Sequence, residues 1–216
     1  MIRNLIFDMG QVLMRWDPMF IAGHYVDDPA EAQEFVDELI VQPDWYLVDA
    51  GQIPEAEYRA KLAERAPEKW RERLLKCYDE FHIYMPPIAE MHTLANEAKA
   101  AGYGVYVLSN ALTRFDRLID ECPTLQCIDN KVISAIEKMA KPDLRIYELA
   151  LRKFGLPGDE CVFIDDLQEN IDGAVKSGIH GIRFDGDVAA LRRKLLEMGV
   201  KLGTECPICT SNGQWN

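Results

Sequence analysis

Apolar residues follow two patterns along this chain: short uninterrupted runs and longer helical repeats. Uninterrupted runs bounded by glycine, proline or polar residues predict buried β-strands. Apolar residues that recur every three or four positions predict amphipathic helices. The predicted strands are 2–8, 104–109, 131–136, 161–165 and 179–184. The helices predicted among them are 87–101, 112–120, 143–154, 168–177 and 187–198.

Helices that alternate with apolar strands are typical of a parallel sheet covered on both faces. We therefore predict an α/β fold with a Rossmann-like, five-stranded parallel sheet. This core comprises residues 1–14 and 85–200, and residues 201–216 form a C-terminal tail.

The block between the first strand and the rest, residues 15–84, contains no good strand pattern. Helical patterns begin near Pro29, Pro54 and Pro67, and proline is compatible with a first helical turn. A short helix around 18–21 would make this block a four-helix insert, which we call the helical cap.

Composition describes a globular, acidic protein of 216 residues, 48% of them hydrophobic, with a net charge of −12. Such a surface repels nucleic acid and anionic membranes. A phosphorylated substrate would therefore need local cations. No apolar run approaches the roughly 20 residues of a membrane span.

The six cysteines show no disulfide framework, which favours free thiols and a reducing, cytoplasmic location. Cys206 and Cys209 form an isolated CxxC in a segment that we predict to be poorly ordered. A structural zinc needs about four ligands, and no second pair accompanies this one.

Polar residues follow several of the predicted strands, where open α/β sheets place their chemistry. Asp8 ends the first apolar run, Ser109 and Asn110 end the second strand, and Asp165 and Asp166 end a later one. Lys141, in a predicted loop before Pro142, completes the set. Three carboxylates, an ammonium, a hydroxyl and an amide indicate metal-assisted phosphoryl transfer.

The N-terminal apolar run is too short for a signal peptide, and its removal would also remove Asp8.

Taken together, these motifs resemble the haloacid dehalogenase superfamily, in particular its phosphatase branch with a small helical cap. The resemblance implies that the strands ending near Phe184, Asp165, Asp8, Ser109 and Ile136 lie side by side in that order. It also implies an Mg²⁺-dependent phosphatase acting on a small phosphorylated metabolite.

The same resemblance implies a role for each motif residue. Asp8 is the nucleophile that carries an aspartyl-phosphate. Asp8 and Asp166 bind Mg²⁺ with the Gly10 carbonyl, and Asp165 binds it directly or through water. Lys141 contacts Asp8 and the phosphoryl group. The Ser109 hydroxyl and the Asn110 amide group donate to phosphoryl oxygens.

Gly10 departs from the pattern, because most phosphatases of this superfamily have an aspartate there that protonates the leaving group. General acid–base catalysis contributes typically ~10²–10⁴ in rate. The branch with glycine at this position includes sugar 1-phosphate phosphatases, and an anomeric oxygen leaves more easily than an alcohol. This predicts a preference for hexose 1-phosphates, or aryl and acyl phosphates, over alkyl phosphates. Asp17 and Asp49 are candidate substitute acids.

The residues have structural alternatives as well. Ser109 and Asn110 could form the N-cap of the next helix, and Asn170 could be either a cap or a support for the site. In the cap, aromatic packing and capping are favoured over pocket lining for Trp45, Tyr46, Asp49 and Gln52. Packing is likewise favoured for Arg15 and Trp16 at the hinge.

Two other functions compete with the phosphatase. A 2-haloacid dehalogenase shares the aspartate nucleophile but needs no metal. Without a metal, repulsion between the clustered carboxylates of Asp165 and Asp166 would be uncompensated and costly. A weakly catalytic or non-catalytic phospho-ligand binder is supported only by Gly10.

Overall fold

A computed structural model describes residues 1–203; Cys206, Cys209 and the order predicted for their segment lie outside the described residues. Five parallel strands form one sheet in the order β3-β2-β1-β4-β5. This confirms the predicted order, with β1 in the centre. The strands are β1 (Asn4–Phe7), β2 (Gly104–Ser109), β3 (Asn130–Ile133), β4 (Cys161–Asp165) and β5 (His180–Arg183).

The central strands β1 and β4 are buried throughout, which explains their mostly apolar sequences, whereas the edge strands β3 and β5 are partly exposed. In β1, Leu5 and Phe7 pack into one hydrophobic cluster and Ile6 packs into another. Successive side chains of a strand point to opposite faces, so these clusters are the two sides of the core.

The helices of the core lie close to their predicted positions. Outside the cap they are α6 (Ala89–Ala100), α7 (Arg114–Glu121), α8 (Ser134–Glu137), α9 (Leu144–Phe154), α10 (Gln168–Lys176) and α11 (Val188–Glu197). Among these, α8 corrects the prediction for the third strand. That strand ends at Ile133, not Ile136, and the chain turns into a short helix whose C-cap, Lys138, has φ of +57°. This helix begins at Ser134. A short run of mostly apolar residues does not distinguish a strand from a helix that continues it.

The cap contains one helix more than predicted. Its helices are α1 (Pro18–Ala22), α2 (Pro29–Leu39), α3 (Pro43–Asp49), α4 (Glu55–Arg65) and α5 (Arg71–Glu80), followed by a 3-10 helix, Phe81–Tyr84. The missed helix, α3, has only seven residues and no side-chain cap, so its apolar pattern was too short to detect.

The two ends of the cap leave the core side by side. Arg15 N donates to Pro86 O (2.8 Å), and Ile88 N donates to Leu13 O (2.8 Å). His92 strengthens this junction, since its Nε2 lies 2.9 Å from the same Leu13 carbonyl. The domain boundaries near 15 and 85 remain predictions, although the junction falls where they were drawn. Within residues 1–203, no helix combines the length and apolar character that crossing a membrane requires.

Candidate active site

Asp8 lies just beyond β1, at the carboxyl edge of the sheet. Its backbone N donates to Ile164 O of the neighbouring strand (2.9 Å). The chain then turns sharply, because the Met9 carbonyl accepts from the backbone N of both Leu13 (2.9 Å) and Met14 (2.8 Å). Asp8 is thus fixed at the mouth of the crevice between β1 and its neighbours.

Lys141 joins two of the predicted acidic residues. Its Nζ lies 2.8 Å from Asp8 Oδ1 and 2.7 Å from Asp165 Oδ2. The same Nζ donates to Leu108 O (3.1 Å), and the side chain is buried. Burial lowers the pKa of Lys141, but the charges of Asp8 and Asp165 outweigh it, so the pKa is raised. Lys141 is therefore a permanent cation.

Asp165 is fully buried and its hydrogen bonds are provided by its neighbours. Leu167 N donates to Oδ1 (2.8 Å), and Asn170 Nδ2 lies 3.0 Å from Oδ1 and 3.1 Å from Oδ2. The N-cap of α10 is Leu167. Of the two roles considered for Asn170, the structure therefore shows support of the acidic pair and not helix capping.

The carboxylates of Asp8, Asp165 and Asp166 offer oxygen atoms that all lie within 4.8 Å of one another. Burial raises the pKa of Asp8 to about 6, against the opposing charge of Lys141. Burial, and then the charge of Asp165, also raise the pKa of Asp166. Three carboxylates facing one ammonium carry excess negative charge, and clustered oxygen ligands suit Mg²⁺. The residues present therefore fit a divalent cation.

Ser109 and Asn110 end the neighbouring strand beside this cluster. The Ser109 hydroxyl is buried and has no hydrogen-bond partner within residues 1–203. A buried, unpaired hydroxyl is costly unless a ligand satisfies it, and the contact predicted between Ser109 and a phosphoryl oxygen remains a prediction.

Asn110 has a role that the sequence did not reveal. Its Nδ2 donates to Lys141 O (2.9 Å), and its Oδ1 accepts from Lys141 N (2.8 Å). These two bonds fix the backbone that carries the lysine. Asn110 also lines the cavity described below, and its predicted contact with phosphate remains a prediction. The N-cap alternative is wrong, because α7 begins at Arg114 after the N-cap Thr113.

A cavity of ≈ 360 Å³ opens above these groups. The core lines its floor with Asp8, Gly10, Asn110, Lys141 and Asp166. The cap contributes Trp16, Trp45, Asp49 and Phe81 to the lining of the same cavity.

The cap residues that were singled out divide into two groups. Trp16 and Trp45 both line the cavity and stack on each other, with ring centroids 6.3 Å apart. Tyr46 and Gln52 are exposed and are not part of the cavity wall. Asp17 is the N-cap of α1, where it accepts from Phe20 N (3.0 Å), so only Asp49 of the two candidate acids lies at the cavity.

Comparisons with known proteins agree with this architecture. The family model of haloacid dehalogenase-like hydrolases matches residues 4–178, and the chain belongs to this family. The sesquiterpene phosphatase astK of Aspergillus oryzae is 28% identical over 185 residues, covering 85% of this chain and 90% of the relative. The (S)-2-haloacid dehalogenase 4A of Burkholderia cepacia is 32% identical over 125 residues, covering 53% of this chain and 48% of the relative.

Among solved structures, the HAD family enzyme bt-2542 of Bacteroides thetaiotaomicron, in complex with magnesium and inorganic phosphate, superposes with a TM-score of 0.67. It is 22% identical, and the match covers 88% of this chain and 98% of that one. This likeness establishes the fold, and the family establishes hydrolase activity. The relatives include both phosphatases and dehalogenases.

Proposed function

We propose that this protein is an Mg²⁺-dependent phosphatase that hydrolyses a small phosphorylated metabolite through an aspartyl-phosphate on Asp8. The observation that carries the proposal is the acidic cluster of Asp8, Asp165 and Asp166 around Lys141. A dehalogenase attacks carbon without a metal, and three clustered carboxylates would then carry a repulsion that serves no purpose.

The chemistry follows from the positions of the side chains. An Asp8 carboxylate oxygen attacks phosphorus, and the bond between phosphorus and the leaving oxygen breaks. Lys141 orients Asp8 and balances charge on the phosphoryl oxygens, to which Ser109 donates a hydrogen bond. Water then hydrolyses the aspartyl-phosphate and regenerates Asp8.

Asp8 and Asp166, with the Gly10 carbonyl, would hold Mg²⁺, while Asp165 is committed to Lys141, Leu167 and Asn170. Bound there, the cation supplies neutralisation of the phosphoryl oxygens and keeps Asp8 ionised.

Two substrate classes are compatible with this proposal. The leaving-group argument from Gly10 favours a sugar 1-phosphate. The cavity wall favours a monophosphate with an aryl or other apolar group, because Trp16, Trp45, Phe81, Leu112 and Phe115 line it. Similarity to a sesquiterpene phosphatase supports the second class. A small metabolite, rather than nucleic acid or a membrane surface, also suits the net charge of −12.

A cytoplasmic location is part of the proposal. Cys77, Cys122, Cys127 and Cys161 are all free thiols, which suits a reducing compartment.

The test is phosphate release from sugar 1-phosphates, aryl phosphates and alkyl phosphates by wild type and Asp8→Asn, with Mg²⁺ and with chelator. We expect turnover that requires both Mg²⁺ and Asp8, with a trapped phosphoenzyme in wild type only. Halide release from 2-haloacids in chelator would instead establish a dehalogenase. Thermal stabilisation by phosphate esters without turnover would establish a binder.

A further inference from the structure

We infer that Asp49, on the cap, is the general acid and base that replaces the side chain missing at Gly10. The inference rests on the proposed phosphatase function and names the group that protonates the leaving oxygen.

Position is the first argument. Four ionisable residues line the cavity within the described part of the chain: Asp8, Asp49, Lys141 and Asp166. Three of them belong to the nucleophile, cation and phosphate machinery at the floor. Asp49 comes from the cap and lines the same cavity as Asp8, so it can reach the leaving group of a phosphate held at Asp8.

Asp49 is also held firmly against the core. Its backbone carbonyl accepts a hydrogen bond from the Ser134 hydroxyl, which in turn accepts from Ala111 N (2.9 Å). Two residues on, a Cβ at Gly51 would lie only 2.2 Å from Ala135 O. The end of α3 is thus docked next to the turn that carries Ser109 and Asn110, which gives a catalytic group the fixed position it needs.

The surroundings of Asp49 favour a carboxyl that exchanges its proton near neutral pH. Within residues 1–203, no lysine or arginine forms an ion pair with it. Burial raises its pKa to about 7, a hydrogen bond with the Trp45 side chain opposes this, and the charge of Glu55 adds to it. An acid with a pKa near the working pH is the most effective proton donor and acceptor.

The proton balance closes over the two steps. In the first, the bond from phosphorus to the leaving oxygen breaks as Asp8 attacks, and the Asp49 carboxylic acid gives its proton to that oxygen. In the second, the Asp49 carboxylate takes a proton from the water that attacks the aspartyl-phosphate, and Asp8 leaves as a carboxylate. Asp49 ends protonated, as it began.

Position 10 itself provides the means of testing this. Among residues 1–203, a Cβ built at Gly10 meets only the Trp16 Cβ, at 3.9 Å, which is an ordinary contact. A Cβ is therefore accommodated there, and Gly10→Asp introduces an acid at the usual place.

The experiment compares kcat/KM for benzyl phosphate and p-nitrophenyl phosphate with Mg²⁺. Both substrates carry an aromatic ring, but only the benzyl alkoxide needs a proton to leave. The variants are Asp49→Asn, Gly10→Asp, the double variant and Asp17→Asn. Asparagine at 49 keeps an acceptor for Trp45, and asparagine at 17 keeps the N-cap, so Asp17→Asn is the matched control.

We expect Asp49→Asn to lose about 10²–10⁴-fold on benzyl phosphate and less than about 10-fold on p-nitrophenyl phosphate. The double variant should regain activity on benzyl phosphate, and Asp17→Asn should match wild type on both substrates. Equal losses on both substrates, or none on either, would overturn the role of Asp49. No phosphate release by wild type would instead refute the proposed phosphatase.

A pH profile of wild type provides a second test, which applies even if Asp49→Asn does not fold. Activity on benzyl phosphate should fall above the pKa of Asp49, while activity on p-nitrophenyl phosphate should not; parallel profiles contradict the proposal. The ionisable groups whose charges reach Asp49 are Glu55 and Tyr58 of α4 and Tyr78 of α5. Glu55 is held by Arg114 (2.9 Å), and on α8 Glu137 pairs with Lys153.

Discussion

The hydrogen bonds of Asp165 fix the arrangement of the acidic cluster. It accepts hydrogen bonds from Lys141, Leu167 and Asn170 and has no exposed surface. Because its oxygens are occupied by these donors, Asp8 and Asp166 are left to face a cation. Of the two side chains that donate to Asp165, Asn170 is the uncharged one, so its bonds can be removed without changing the charge of the cluster.

We expect Asn170→Ala to raise the Mg²⁺ concentration that activity requires. Removing the two bonds from Nδ2 (3.0 and 3.1 Å) frees Asp165 to shift toward Asp166, and loss of such support typically costs about 10–100-fold in metal affinity. The measurement is the Mg²⁺ concentration at half-maximal activity. Gln168→Ala is the control, since the side chain of this exposed residue of the same helix bonds to Asp172 and to no other described residue. An unchanged Mg²⁺ requirement in Asn170→Ala would show that Asn170 has no part in the metal site.

The residue types of the site could be predicted from the sequence, because the acidic, hydroxyl and amide residues lie at or near the ends of apolar strands and Lys141 lies in a loop before Pro142. Their pairing could not. Asn110 and Lys141 are 31 positions apart, and nothing local in either segment indicates that the amide would hold the lysine backbone. Asp49 was one candidate acid of two, and only the packing of the cap distinguished it from Asp17.

Among the elements, the C-terminal turn of α3 decides where the cap lies. Gly51 has φ of +64°, and a Cβ there would lie 2.2, 2.8 and 2.9 Å from backbone atoms of Ala135. A backbone neighbour cannot move aside as a flexible side chain can. The cap therefore approaches α8 as closely as glycine allows, and this contact brings Asp49 to the cavity.

We expect Gly51→Ala to destabilise the protein and to displace Asp49. A left-handed alanine costs roughly 1–2 kcal/mol, and the clash with Ala135 adds about 1–3 kcal/mol. Gly155→Ala is the matched control, because Gly155 has φ of +70° and, in the described part of the chain, no atom beyond its chain neighbours lies within 4 Å of the added Cβ. Denaturant unfolding should show the larger loss for Gly51→Ala, and only that variant should lose kcat/KM. Equal losses of stability would mean that backbone conformation alone requires Gly51.

Element prediction succeeded where the apolar pattern was long and failed where it was short. The five strands and the long helices of the core were found, since burial of both sheet faces imposes continuous apolar runs. The two failures, α3 and α8, are short helices of seven and four residues. Contacts between these two elements, rather than their own propensity, hold them in place, and such contacts leave no local pattern.

For the whole molecule, the sheet order and the acidic cluster follow from one another. With β1 in the centre, the carboxyl ends of β1, β2 and β4 meet, and Asp8, Ser109 and Asp165 come together. Folding therefore concentrates negative charge at this edge of the sheet, in a chain that is already acidic. It also places the Asp49 carboxyl at the same cavity. The cost of this charge makes the stability of the folded protein depend on pH and, under the proposed function, on Mg²⁺.

Without Mg²⁺, we expect the titration of Asp49 and Asp8 to lower stability as pH rises from about 4 to about 7. Folding raises the pKa of Asp49 from 3.8 to about 7, so across this window the folded protein binds a proton that the unfolded chain has lost, and stability falls with pH. A rise of about 3 units corresponds to about 4 kcal/mol, and the partial exposure of Asp49 to the cavity reduces this to on the order of 2 kcal/mol. Asp8, with a pKa raised to about 6, acts in the same direction.

Urea unfolding of wild type, Asp49→Asn and Asp8→Asn at pH 4 and pH 8, with and without Mg²⁺, separates the two groups. Each variant lacks one of the titrating acids. The stability of the variant minus that of wild type should therefore increase from pH 4 to pH 8. Mg²⁺ should abolish this increase for Asp8→Asn, because the cation favours the Asp8 carboxylate, and should leave that for Asp49→Asn unchanged. If the difference between Asp49→Asn and wild type is the same at both pH values, Asp49 titrates as an ordinary carboxyl. If Mg²⁺ alters both variants alike, the cation does not bind at Asp8.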